Sequence, residues 1–283
     1  MTNNACPQAS VRMVVSGSIV ERCETHEVLS IIDSRLGPNS GRALAVGSVN
    51  LDHLHHFRRL GAAPNGLLDW LLLADGMPIA WRGQLLTAKP WPRVTGADLL
   101  PAVLALAEAD GHRVGFFGGS AATHRRLAEH LRETNPALAV SGMWAPNPDD
   151  IETGSPQLCS AIRAARTDIL IVSLGKPRQE HWVDQHGYAT GAKVFLPSGG
   201  AIDFLAGTTS RAPDWMQRSG LEWLYRLTRE PRRLARRYLL QGPIALLRAL
   251  RAQLICYPGV HYVATPVHEH VETSCVRTEA VSA

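Results

Sequence analysis

Cysteine is sparse, with five in 283 residues (6, 23, 159, 256 and 275). None forms a Cys-x-x-Cys pair, and this argues against a disulfide framework and a zinc ribbon. Lysine is rarer still: of 29 basic residues only Lys89, Lys176 and Lys193 are lysines. No apolar run approaches the ~18–20 residues that cross a bilayer. The best candidate, 244–255, is broken by Arg248 and Arg251. The first residues carry no basic segment followed by an apolar run, so the chain is expected to lack a signal peptide and to be cytosolic. Neither Gly-x-Gly-x-x-Gly nor Gly-x-x-x-x-Gly-Lys-[Ser/Thr] occurs, against a nicotinamide enzyme or a P-loop nucleotidase. The Gly-x-Ser-x-Gly elbow of serine hydrolases is missing too.

What is present is a globular composition, 45% hydrophobic and 19% charged, of a length that suits one large domain or a domain with an appendage. Short apolar runs at 42–46, 67–73, 112–117, 138–142, 168–174 and 194–197 read as strands. They alternate with helical stretches at 51–60, 99–109, 121–133 and near 158–165, the last after a Pro- and Asp-rich loop at 145–156. This alternation predicts an α/β fold: a mainly parallel sheet with helices on both faces, ligands binding beyond the carboxyl ends of the strands. The expected organisation is an N-terminal extension or small first element (1–40), a catalytic α/β domain (41–215), a basic amphipathic appendage (216–256) and a disordered tail (257–283).

Polar and glycine clusters fall at that edge. Gly118-Gly119-Ser120, between a strand and a helix, would offer backbone N–H groups to a phosphate, or is simply a tight turn. Asp75, in Ala74-Asp75-Gly76, suits a general base or a turn cap. Asp203, after Gly199-Gly200, suits ribose hydroxyls or a helix cap. Gly175-Lys176-Pro177-Arg178-Gln179-Glu180 has the composition for a diphosphate or sugar oxygens, or for a solvated helix start. His53, His55 and His56 invite a metal reading, but only 53 and 56 share a helical face and no second cluster completes a tetrahedral set. Trp144 and Tyr225 could stack on a nucleobase or belong to the core.

Charge is unevenly spread. The net charge is +4, yet 220–253 alone holds eight arginines and two acids. If Pro231 starts a helix, regular spacing puts Arg232, Arg233, Arg236 and Arg237 on one arc and Leu234, Ala235, Tyr238 and Leu239 on the other. Such a helix, with Trp215 and Trp223 upstream, fits an anionic membrane surface, or packs onto the domain with its arginines in water. No groove-reading motif or aromatic–basic interleaving points to nucleic acid.

Taken in order, Ala74-Asp75-Gly76, Arg93-Val94-Thr95-Gly96-x-Asp98, Gly175-x-Pro177-x-Gln179-Glu180, Gly199-Gly200-x-x-Asp203-Phe204-x-x-Gly207, Arg211-Ala212-Pro213-x-Trp215, Gly220-Leu221-Glu222-Trp223 and Glu230-Pro231-Arg232-Arg233-Leu234 resemble the WecG/TagA/CpsF family, glycosyltransferase family 26, over about 47–243. The resemblance implies a Rossmann-like fold whose C-terminal appendage closes the site and engages the membrane. It also implies an inverting, metal- and cofactor-independent transfer of a sugar (N-acetylmannosamine, its uronic acid or glucose type) from a UDP donor. The acceptor would be a polyprenyl-diphosphate-linked glycan on the inner face of a bacterial cytoplasmic membrane, in surface or exopolysaccharide synthesis.

By position, Asp75 matches the family's proposed base. Asn50 matches the polar residue of a Thr-x-Asn motif that reads Ser48-Val49-Asn50 here. Arg93 and Gln179 match residues near donor or acceptor, Asp203 a nucleoside contact and Trp144 an aromatic facing uracil. Arg226, Arg229 and Arg232 match appendage arginines that reach the diphosphate. Gly118, Gly119 and Gly175 complete the expected UDP-sugar set, and no metal ligand is implied. A homo-oligomer is left open. The competing readings are a nucleotide-dependent oxidoreductase, against which the missing dinucleotide fingerprint speaks, and a non-catalytic, membrane-associated polysaccharide assembly protein.

Overall fold

Val, Ile and Leu dominate the strands because each central strand is covered on both faces. In β7 (Ile169–Ser173) all five residues are buried. Ile169 and Ile171 enter one core cluster while Leu170 and Val172 enter the other. The same period-two division runs through β3 (Ala43–Val49) and β8 (Val194–Pro197), as side chains of a pleated strand must alternate.

The computed structural model describes residues 10–38, 40–57 and 66–257. Its further strands are β1 (Ser10–Val15), β2 (Ser18–Glu21), β4 (Leu68–Ala74), β5 (Arg113–Gly118), β6 (Ala139–Trp144) and β9 (Gln253–Tyr257). The nine-stranded sheet has the order β6-β5-β7-β8-β3-β4-β2-β1-β9. It is parallel from β6 through β2, while β1 pairs antiparallel with both β2 and β9. The α/β, mainly parallel architecture expected from the sequence is therefore present.

One face carries α1 (Thr25–Leu36), α4 (Gly96–Asp110), α5 (Ala121–Thr134) and α8 (Ala201–Leu205). The other carries α2 (Leu51–His56), α3 (Met77–Thr87), α6 (Ile151–Ala164), α7 (Arg178–Thr190) and α12 (Gly242–Leu250). Between α8 and α12 come α9 (Asp214–Arg218), α10 (Glu222–Arg229), α11 (Pro231–Ala235) and a π-helical turn, Arg236–Gln241.

Four features differ from the sequence reading. Residues 10–36 supply β1, β2 and α1, and the basic segment returns to the sheet as β9. Helix α6 begins at Ile151, inside the expected loop, and contains Pro156. Burial of Ser155, Cys159 and Ile162, with Trp182 Nε1 donating to Ser155 Oγ at 2.9 Å, outweighs the hydrogen bond a proline forfeits. The single basic arc does not form, because the π-helical turn follows α11 directly and changes the angular step. Leu239 and Leu240 become exposed, while Arg237 turns inward. Residues 58–60 of the expected helix and 258–283 of the expected tail lie outside the described residues.

Candidate active site

The parallel register of β3 and β4 places Val49 opposite Ala74, so the next residue on each strand, Asn50 and Asp75, leaves the sheet at the same level. Asn50 caps α2, its Oδ1 accepting from the His53 N–H at 3.1 Å. A capped helix start fixes this side chain, and its Nδ2 donates to Asp75 Oδ2 at 2.9 Å. The Asp75 and Gly76 N–H groups both point at the Val49 carbonyl. A Cβ on Gly76 would lie 3.2 Å from Asn50 Cβ, so glycine lets the two strand ends meet.

Beyond β7, Gly175 adopts a left-handed conformation (φ +74°) and turns the chain so that Lys176 points back toward β3. The Lys176 ammonium donates to the Ser48 carbonyl at 2.5 Å and pairs with Glu180 at 2.9 Å. Gln179 Nε2 donates to the Pro197 carbonyl at 2.9 Å. Its Oε1 is buried without a hydrogen-bond partner, an acceptor beside the cavity floor. After β8, Asp203 Oδ1 accepts from Thr123 Oγ1 at 3.0 Å.

On the β4–α4 side, Thr95 caps α4 and donates to Asp98 at 2.6 Å; Asp98 also pairs with Arg211 at 2.6 Å. Burial alone would raise the Asp98 carboxyl, but the hydrogen bonds from Arg211 and Thr95 bring it below its ordinary value. The segment after α9 closes over these strand ends. Glu222 pairs with Arg93 at 3.5 Å, Arg237 with buried Asp52 at 3.1 Å, and the Arg226 guanidinium lies 5.9 Å above the Phe204 ring.

Two cavities result. A polar one of about 540 Å³ lies over the ends of β3, β7 and β8, and an apolar one of about 480 Å³ lies between α3, α10 and α12. Asn50, Asp52, Asp75, Glu222, Arg226 and Arg237 line both. Asp75 therefore sits where the two compartments meet.

Of the residues expected at a site, Ser48, Asn50, Asp75, Gly175, Gln179, Asp203 and Arg226 line the polar cavity, and Arg93 lines the apolar one. Gly118, Gly119, Trp144, Arg229 and Arg232 line neither. A Cβ on Gly118 would meet the Ser173 carbonyl oxygen at 2.6 Å, and one on Gly119 would meet Ile202 at 2.7 Å. Close packing onto β7 and α8 accounts for both glycines. Trp144 covers Gly115 and Gly142, where an added Cβ would touch its ring. The Arg229 guanidinium stacks 5.4 Å from the Tyr225 ring, and Arg232 is exposed.

Asp52, Thr95, Glu222 and Arg237 join the site without having been singled out for it. For Arg237 the arginine-rich spacing was visible, but not the π-helical turn that aims it. His53 is fully buried with Nε2 3.1 Å from Ser18 Oγ. Burial, then the nearby Lys176 charge and His56, hold it well below the ordinary histidine value. Among the described residues, the group able to bring three metal-ligand atoms within 4.8 Å is Asp33, Asp110 and His112, which lines neither cavity.

The model of the Glycosyl transferase WecG/TagA/CpsF family matches residues 13–257. The chain belongs to this family. Two relatives, from Bacillus spizizenii (strain ATCC 23059 / NRRL B-14472 / W23) and Bacillus subtilis (strain 168), are both named N-acetylglucosaminyldiphosphoundecaprenol N-acetyl-beta-D-mannosaminyltransferase. They are 27% and 26% identical to it over 165 residues, covering 58% of this chain and 63% of each relative. The similarity thus spans less than two thirds of those relatives, and the family match extends from β1 to the end of β9.

Proposed function

We propose that the protein is an inverting, metal-independent glycosyltransferase moving a sugar from a UDP donor to a polyprenyl-diphosphate-linked glycan. The observation that carries this reading is the position of Asp75, oriented by Asn50, at the junction of a polar and an apolar compartment. The polar cavity suits a nucleotide sugar, and the apolar one adjoins it on the side from which a lipid-linked acceptor would approach. The names of the two Bacillus relatives favour an N-acetylmannosamine-type donor and an N-acetylglucosaminyl-diphosphate lipid as acceptor; uronic acid and glucose donors are the alternatives.

In the reaction, the acceptor hydroxyl oxygen attacks C1 of the donor sugar from the face opposite UDP. The C1–O bond breaks, its electron pair leaves with the UDP β-phosphate, and Asp75 takes the hydroxyl proton. Displacement from the opposite face inverts the anomeric centre. Charge gathers on the β-phosphate as the bond breaks, and preorganised cations stabilise such charge effectively in a site sheltered from water. Arg226 and Arg237 line the cavity for that task, taking the part a divalent ion plays elsewhere.

No helix among the described residues is long and apolar enough to cross a membrane. Trp81, Leu85, Leu239, Leu240, Ile244 and Leu247 are each more than half exposed. This apolar surface supports peripheral attachment to the cytoplasmic membrane face, where a lipid-linked acceptor resides. The test is UDP release from a panel of UDP-sugars in EDTA, with N-acetylglucosaminyl-diphosphate lipid as acceptor. The reading requires acceptor-dependent release with one donor; release that needs both EDTA removal and a divalent ion would overturn metal independence, and no release with any donor would overturn the reaction.

A further inference from the structure

The sheet opens between β3 and β8. Their ladder covers Leu44 opposite Val194 and Ala45 opposite Phe195, yet β3 runs on beside β4 as far as Val49. Beyond the ladder the chain leaves β3 for α2 on one face and β8 for α8 on the other. Open α/β sheets form their ligand crevices at such reversals. The polar cavity lies there, with Ser48 and Asn50 on one side and Pro197, Ser198 and Gly199 on the other. The end of β3 that carries Asn50 is thus paired with β4 but no longer with β8.

Lys176 spans this opening. It comes from the turn after β7, two strands away from β3 in the sheet, and its ammonium donates to the Ser48 carbonyl at 2.5 Å. Glu180, in the first turn of α7, pairs with it at 2.9 Å through Oε1. The same oxygen accepts from Gln179 Nε2 at 3.1 Å. Both charged side chains are almost out of solvent, 8% exposed for Lys176 and 1% for Glu180. The attraction within a buried ion pair offsets its desolvation only in part, and apolar residues often fill the same space at lower cost. What the ammonium adds here, and an apolar side chain could not, is a hold on the carbonyl at the open end of β3. The chain has 29 basic residues and only three lysines. A compact ammonium on a four-carbon stem suits a single carbonyl between strands better than the broad guanidinium fork.

Ser48 precedes Asn50 by two residues. Asn50 Nδ2 holds Asp75 at 2.9 Å, and the Asp75 N–H donates to the Val49 carbonyl at 3.0 Å. Movement of Ser48 is therefore passed through Val49 to both contacts of the acid. We propose that Lys176 is a positioning residue for the transfer: it bridges the crevice, fixes the end of β3 through the Ser48 carbonyl, and so keeps Asn50 and Asp75 aimed at the acceptor hydroxyl. This role rests on the reading of Asp75 as the base of the reaction proposed above.

Lys176→Met alone strands the Glu180 carboxylate and is expected to melt lower for that reason. The deciding variant is Lys176→Met combined with Glu180→Gln, which buries no unpaired charge and keeps an oxygen for Gln179. It is expected to melt and to bind UDP close to the parent, and to lose about tenfold or more in kcat, the scale of a lost hydrogen bond from a charged group. Hydrogen exchange is expected to quicken at 46–50 and at the Asp75 amide and to stay unchanged in β5. Recovery of kcat together with stability in the double variant would overturn the proposal, because Lys176 would then only neutralise Glu180. So would a fall in UDP affinity as large as the fall in kcat, which would make Lys176 a donor-binding group. Unchanged exchange at 46–50 would overturn it as well. The exchange readout needs no turnover: faster exchange at 46–50, in a protein whose parent transfers no sugar, would leave the bridge standing and refute the reaction.

Discussion

Asn50 donates from Nδ2 to Asp75 Oδ2 at 2.9 Å while its own Oδ1 caps α2. One side chain thus ties the end of β3, the start of a helix and the acid at the end of β4. The two duties can be separated by substitution. Asn50→Ser retains a capping oxygen but loses the amide donor, whereas Asn50→Ala loses both. Loss of the cap costs about 1 kcal/mol, so Asn50→Ala is expected to melt lower than Asn50→Ser. A hydrogen bond to a charged group contributes about 1.5–3 kcal/mol, so both variants are expected to lose about tenfold or more in kcat. Thermal melts with initial rates check this; a fully active Asn50→Ser would remove the orienting role.

The Arg237–Asp52 pair, 3.1 Å long with Asp52 buried, joins the segment after α9 to α2. Arg237→Gln is expected to destabilise the protein by about 1–3 kcal/mol, because it leaves a buried carboxylate without its cation. Asp52→Asn in the same background should recover part of that loss. Denaturant melts of the two single variants and the double variant measure the coupling. Strict additivity would mean that the pair does not hold the segment down.

Gly118 has φ +89° and no room for a Cβ against Ser173. Gly118→Ala is expected to cost about 1–3 kcal/mol of stability through strain and overpacking. UDP affinity of the folded fraction should stay close to the parent value. A stable variant with selectively weakened UDP binding would instead return Gly118 to the donor site.

His53 is neutral in the folded protein because burial, with Lys176 and His56 nearby, pushes its protonation well below the ordinary value of 6.5. In the unfolded chain it takes up a proton as the pH falls through 6.5. The unfolded state then binds more protons, and stability present above that pH is lost below it. His56, His124 and His186, also lowered chiefly by burial, act in the same direction. The melting temperature is expected to hold between pH 8 and 7 and to fall from about 6.5 downward, less steeply in His53→Gln. A flat profile from 7 to 5.5 would contradict this.

Much of this architecture was legible because burial writes itself into periodicity. The run that became β7 and the glycine-punctuated strand ends around Asp75, Gln179 and Asp203 all lie where the sequence put them. Relations set by tertiary geometry were not legible. Gly118 and Gly119 have the composition of a phosphate turn, and only the packing of Ser173 and Ile202 onto them shows what fills the space. Arg237 has the spacing of a solvent-facing arginine until the π-helical turn rotates it toward Asp52. The apolar cavity could not be read at all, since α3 and α12 carry no mark in their sequences that they will face each other.

The most direct test concerns Asp75 as the base. Single-turnover sugar transfer and UDP binding should be measured together for Asp75→Asn. The expected result is UDP affinity close to the parent value and transfer slowed by about 10²–10⁴-fold, the usual consequence of removing a general base. Transfer at the parent rate would contradict the account, and Asp75 would then be no more than the residue that Asn50 holds at the end of β4.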